Sequence, residues 1–178
     1  MSPHDDWRLR PATADDVDGL HALTAKPDVY RYLFDGVAPE RQAIADALAQ
    51  CMTNAAENGL GLWVLTHPSA PYAGAVWLQP DLAARSAEIS YLLDPDHWGQ
   101  GLATRMAWTV IAYAFRTRHI DRVIAGADAP NTASLAVMAR LGMGFHRDVQ
   151  YPMGAGVEHV LHRDDPGPDP QPDPLPIA

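Results

Sequence analysis

The chain has 178 residues, 47% of them hydrophobic, which is ample for one packed domain and short for two. Its 13 Lys and Arg stand against 22 Asp and Glu, a formal charge of −9 that argues against nucleic acid and against anionic membranes, since both reward a basic face. The same charge suits a cationic partner such as a protonated amine or a basic peptide, and solubility alone explains it as well.

Trp7-Arg8-Leu9-Arg10 alternates apolar and charged residues, as a short first strand does. Thr13 has N-cap chemistry, with Asp15 and Asp16 in the next turn and Val17, Leu20 and Leu23 on one face of a helix. Lys26-Pro27-Asp28 breaks that helix, and Tyr30, Tyr32, Leu33 and Phe34 form a short aromatic segment up to Asp35-Gly36. A second helix is expected from about Pro39 to Glu57, closed by Asn58-Gly59. Gly61–Thr66 and Tyr72–Leu78 read as a hairpin around His67–Pro71. Ala87-Glu88-Ile89-Ser90-Tyr91-Leu92-Leu93 is a strand, followed by a corner, Trp98-Gly99-Gln100-Gly101-Leu102-Ala103-Thr104. Ala103, Met106, Ala107, Val110, Ile111, Ala114 and Phe115 then recur at helical spacing. Arg122–Gly126 is a strand, a helix starts near Asn131, and Gly144–Val149 with Val157–Leu161 make a last pair of strands. A strand–helix–strand crossover predicts one parallel pair around the helix at 101–119. From Asp164 onward, prolines at 166, 168, 170, 172, 174 and 176 predict an extended, solvated, disordered tail over 164–178, with a proline-rich docking ligand as the alternative.

Two glycines at a strand-to-helix corner let the backbone approach a ligand closely. Free N–H groups and the helix dipole then favour an anion, typically a phosphate. A dinucleotide fingerprint fits less well because Thr104 stands where its third glycine belongs, and a triphosphate loop fails for want of Gly-Lys-Ser/Thr. Downstream, Asn131-Thr132-Ala133-Ser134 opens a helix that ends in Leu141-Gly142-Met143; taken alone this is ordinary capping.

An acidic residue in a strand, then W-G-x-G-x-A, a helix, a strand and N-x-x-S…L-G-M together resemble the GNAT acetyltransferase superfamily. The nearest branch by resemblance is that of ribosomal-protein N-terminal acetyltransferases. Leu9-Arg10-Pro11, Asp28–Leu33, Ala87–Tyr91 and Asp94–Gly99 also look like that branch, so the resemblance covers about residues 7 to 163. It implies an α+β (mixed α/β) fold in one domain over 1–163, with a mixed, mostly antiparallel sheet of about seven strands and about four helices. It implies acetyl-CoA as cosubstrate, its pyrophosphate on the backbone of Gly99, Gln100, Gly101, Leu102, Ala103 and Thr104 beside Trp98. Leu92 and Leu93 would pair with the pantetheine amides, and Asn131 and Ser134 would face the thiol end.

The implied reaction is N-acetylation of an amine acceptor, either a small molecule or a peptide N-terminus or lysine. Glu88 would be the general base, Ser134 a donor to the departing sulfur and Tyr91 a second choice, with Tyr30, Tyr32 and Phe34 lining the amine pocket. Three positions depart from the family pattern, beginning with Trp98, where the family's signature usually opens with Arg or Gln. Met138 stands where many members carry a Tyr acid, and Arg105 where this branch commonly has Glu. A catalytically inert acyl-CoA-binding sensor is therefore the alternative reading. No metal is expected, because His159 and His162, three apart on a strand, point to opposite faces. Cys51 is the lone cysteine and Met1–Asp6 lacks the regions of a signal peptide, so the expectation is a soluble cytoplasmic protein, monomeric or homodimeric.

Overall fold

Apolar–polar alternation and turn chemistry place seven strands: β1 (Arg8–Pro11), β2 (Leu62–His67), β3 (Ala70–Asp81), β4 (Ser86–Leu93), β5 (Arg122–Asp128), β6 (Gly144–Tyr151) and β7 (Gly154–His162). The computed structural model describes residues 6–177. Met1–Asp5, part of the segment expected to lack a signal peptide, and Ala178 of the tail lie outside the described residues. The sheet runs β1-β2-β3-β4-β5-β7-β6, antiparallel throughout except for the parallel pair β4–β5. That pair flanks the expected crossover helix, α4 (Leu102–Thr117).

Helices cover both faces. α1 (Val17–Thr24), α2 (Pro27–Leu33) and α3 (Arg41–Asn58) pack Leu20, Leu23, Val29, Ile44 and Leu48 on Val64, Ala75 and Leu92. On the other face α4 and α5 (Thr132–Arg140) bury Met106, Val110, Ile111, Val137 and Met138 against Val76, Leu78, Ile89, Val123 and Ala125. Residues of opposite parity along each strand serve the two layers.

Among the described residues there are five α-helices against the about four expected, because Lys26-Pro27-Asp28 begins α2 as well as ending α1. Pro27 sits in the first helical turn, where its missing N–H costs nothing, after an extended Lys26. Tyr30, Tyr32 and Leu33 are thus helical. β3 is also longer than the Tyr72–Leu78 reading, running twelve residues as it pairs with all of β4.

The tail needs a correction. It is extended, as proline dictates, but its end is docked rather than free. Leu175 is buried and its N–H donates to Thr109 Oγ1 at 2.9 Å. The Leu9 N–H donates to the Pro176 carbonyl at 2.8 Å, and Ile177 forms a parallel bridge to Leu9. Composition alone hides this because one leucine among prolines finds a slot that only the folded domain supplies. No helix among the described residues is long and apolar enough to cross a membrane.

Candidate functional site

β4 and β5 are paired at Ser86↔Arg122, Ala87↔Val123 and Glu88↔Ile124 and then separate. From Ile89 to Leu93, β4 stays bonded to β3 on one side, while among the described residues its other edge has no strand partner. β5 likewise keeps only β7 from Ala125 to Asp128. The centre of the sheet therefore opens as a wedge with free backbone groups on the β4 side, a natural place for an added extended ligand.

The open end of the wedge meets the glycine corner. Asp94 accepts the Asp96 N–H at 3.2 Å, turning the chain after β4, and Trp98 Nε1 donates to the Leu93 carbonyl at 2.8 Å, pinning the corner to the strand end. Gly99 and Gly101 both have left-handed backbones, φ +74° and +73°, and a Cβ at either position would point into open space. Gly101 is the N-cap of α4, with no side chain capping the helix. The first intrahelical bond is Arg105 N–H to the Gly101 carbonyl, which leaves the N–H groups of Leu102, Ala103 and Thr104 without helical partners. An anionic group fits here: the donors, the dipole and the space are all present.

The predicted catalytic residues fall on two faces of β4. Tyr91 faces α5, where its hydroxyl shares a 2.9 Å hydrogen bond with Ser134 Oγ and donates to the Ser134 carbonyl at 3.3 Å. Burial pushes the Tyr91 phenol up to about 12, so it holds its proton. Asn131 Oδ1 accepts the Ser134 N–H at 3.2 Å, so its carbonyl caps α5 and its amide donors remain. Met138 is wholly buried in the core. Glu88 lies on the other face, with α1, α2 and α3; the residue is exposed, but its carboxyl is partly desolvated. Burial of its carboxyl, then the charge of Glu158, raises its pKa above the ordinary carboxylate value.

That second face holds residues not singled out in the sequence. The register puts Glu88, Gly126, Asp128 and Glu158 on it together. The Tyr151 ring lies across Gly126 and Gly156, close enough that a methyl at either glycine would collide with it. Glu158 is gripped by Arg147, Nε to Oε2 at 2.7 Å and Nη2 to Oε1 at 3.1 Å. Asp128 is buried, and burial followed by the charge of Asp35 raises its pKa. Two glycines in facing strands were the available signal, since strand glycines mark a close approach.

α2 forms the rim of this face. Phe34 and Leu33 pack into the smaller core cluster, and Arg31 lies over the Tyr32 ring at 5.2 Å. Tyr30 is half-buried on the same helix. Lys26 Nζ meets Asp94 Oδ2 at 2.5 Å, tying the start of α2 to the turn before the glycine corner. Cys51 is half-buried on α3, and burial pushes its thiol pKa up, away from nucleophilic use. Among the described residues no group of three or more His, Cys, Asp or Glu could hold a metal ion.

Residues 7–144 match the acetyltransferase (GNAT) domain family. The chain is 24% identical over 128 residues to the uncharacterized N-acetyltransferase YnaD of Bacillus subtilis (strain 168), covering 72% of this chain and 73% of that protein. It is 23% identical over 145 residues to spermidine N(1)-acetyltransferase of Escherichia coli (strain K12), covering 81% and 76%. Among solved structures it is similar to the ribosomal L7/L12 alpha-N-protein acetyltransferase RimL in complex with coenzyme A. The TM-score is 0.78 at 17% identity, covering 91% of this chain and 97% of that one.

Proposed function

The chain belongs to the GNAT acetyltransferase family, and from that premise we propose that it is an N-acetyltransferase moving an acetyl group from acetyl-CoA to a primary amine. The observation that carries this reading is the β4–β5 wedge ending at the uncapped, glycine-cornered start of α4. Residues Gly99 to Thr104 would hold the pyrophosphate on their N–H groups. The free edge of β4 at Leu92 and Leu93 would bond the pantetheine amides. Acetyl-CoA supplies a thioester acyl carbon, to which the amine nitrogen bonds as the C–S bond breaks.

An ammonium must lose its proton before it can attack, and amine pKa values lie near 8 to 10. Glu88, with its raised pKa, takes that proton at a carboxylate oxygen, directly or through a water. On the opposite face of β4, the Tyr91 and Ser134 hydroxyls hold a proton for the departing sulfur. The Tyr91–Ser134 pair also weakens the inert-sensor alternative, which rests on Met138, a core residue. Tyr30 and Tyr32 of α2, with Phe34 at its C-cap, would border the amine pocket above Glu88.

Calorimetric titration with acetyl-CoA, repeated on Gly101→Val, tests the reading together with thiol release in the presence of amines. Val at φ +73° strains the corner and covers its donors. The expected result is binding on the order of micromolar that Val weakens by about tenfold or more. Folded wild-type protein that does not bind acetyl-CoA overturns the proposal.

A further inference from the structure

Acetyl-CoA carries a pyrophosphate and a ribose phosphate, and the glycine corner answers them with little charge. The backbone supplies three N–H groups and a helix end equivalent to about half an elementary charge. From Asp94 to Thr104 the sequence holds two aspartates, one histidine and neither Lys nor Arg. Lys26, which reaches this turn, is tied to Asp94. The first cation after the corner is Arg105, whose own N–H makes the first bond of α4.

Arg10, Arg41, Arg85 and Arg147 are each gripped by a carboxylate. Arg105 is in no ion pair among the described residues. Its Nε instead donates to the Asp173 backbone carbonyl at 3.1 Å, and its Nη groups make no hydrogen bond among those residues. A carboxylate would neutralise the guanidinium, whereas a carbonyl orients it and leaves its charge and both Nη groups for a ligand. Helical side chains lean toward the N-terminus of their helix, which turns this one toward the corner.

The carbonyl belongs to a strap that is itself anchored. Leu175 is 3% exposed, and its N–H donates to Thr109 Oγ1 at 2.9 Å. The same hydroxyl donates to the Arg105 carbonyl at 2.7 Å. Beyond it Pro176 and Ile177 are bonded to Leu9 of β1. Pro172 and Pro174 flank Asp173 and keep it extended. An arginine held this way loses less rotamer freedom when it binds than a free one does. We propose that the C-terminal strap completes the cofactor site by setting Arg105 as a side-chain clamp on a phosphate of CoA. This assignment rests on the transfer reading above.

The test is calorimetric titration of the full chain with CoA and with dephospho-CoA, well below the melting temperature of each variant, with thiol release alongside. Arg105→Ala should weaken CoA binding by about five- to tenfold and raise KM for acetyl-CoA to match, with kcat within about twofold of wild type. Arg105→Lys keeps the charge without the fork and should recover only part of the loss. Leu175→Ala, away from the corner, should weaken CoA binding by about threefold and add nothing in the Arg105→Ala background. If Leu175→Ala does not fold, Thr109→Val, which removes the acceptor for the strap, takes its place. A strap that only stabilises the fold lowers Tm and leaves CoA affinity unchanged, or gives losses that add to those of Arg105→Ala; either overturns the clamp. A loss confined to CoA assigns Arg105 to the ribose phosphate and an equal loss with dephospho-CoA assigns it to the pyrophosphate, and both support the clamp. CoA binding that Gly101→Val weakens and Arg105→Ala does not overturns the clamp and keeps the transfer reading. Folded wild-type protein that binds neither probe overturns that reading itself.

Discussion

Asp16 sits at the start of α1, almost wholly buried, inside a ring of donors. Arg10 reaches it through both Nη atoms at 2.7 and 2.6 Å, the Thr13 N–H at 2.7 Å and the Tyr72 hydroxyl at 3.0 Å. The Arg10 fork is the chief reason its pKa falls from 3.8 to about 2. A depressed carboxylate pKa means that the unfolded chain binds more protons in that window. Its stabilisation, about 2 kcal/mol, is therefore fully present above about pH 4 and lost as pH falls through about 2. Asp16→Asn should cost about 3 kcal/mol in urea unfolding at pH 7, because it strands a part-buried guanidinium, and the gap to wild type should narrow on acidification. Glu88 obeys the opposite sign. Its pKa is raised, by burial and then by Glu158, so the acid limb of kcat/KM should lie above the ordinary carboxylate value. Glu88→Gln should lower kcat by about 10² to 10⁴ and flatten that limb. Glu158→Gln should shift the limb to lower pH; a pH profile that stays put in both variants rules out Glu88 as the base.

At the scale of elements, the periodic pieces were legible and the junctions were not. The strand at 86–93 and the helix after Gly101 emerge where expected because a period of 2 gives way to one of 3.6 across a glycine corner. Asn131 caps α5 as its residue type demands. α2 was hidden because proline both stops one helix and starts another. The places of Glu88, the corner and the Tyr91–Ser134 pair in the proposed site were legible because each lies within a short motif. The α2 face was not, because Asp35, Asp128, Tyr151 and Glu158 meet only through strand pairing and the β6–β7 turn. Gly126 shows how that pairing is built. Gly126→Ala should be destabilising by about 1 to 3 kcal/mol, since its methyl would displace the Tyr151 hydroxyl. Tyr151→Phe removes that oxygen, so the double variant should recover about 1 kcal/mol in a double-mutant cycle. Strict additivity would mean that the ring is not where the register places it.

Over the whole molecule, the last residues join parts that the strand order leaves apart. β1 is an edge strand, and exposed edges invite pairing with other chains. Ile177 covers it with a parallel bridge and Pro176 accepts the Leu9 N–H. The same stretch crosses α4: Leu175 donates to Thr109, and the Asp173 carbonyl accepts from Arg105 Nε at 3.1 Å, one turn from the glycine corner. Alternate prolines suit such a strap, because they hold an extended course and have no N–H to leave unsatisfied. Burying one leucine side chain is worth about 1.5 to 3 kcal/mol. Ending the chain at residue 163 should therefore lower Tm by about 3 to 12 °C, as 2 to 4 °C per kcal/mol applies at this size. Leu175→Ala should reproduce most of the loss if the leucine is the anchor, whereas replacing the prolines by serine should cost little beyond the entropy of a freer strap. A truncated chain that melts with wild type places the tail in solvent, and with it the protection of β1.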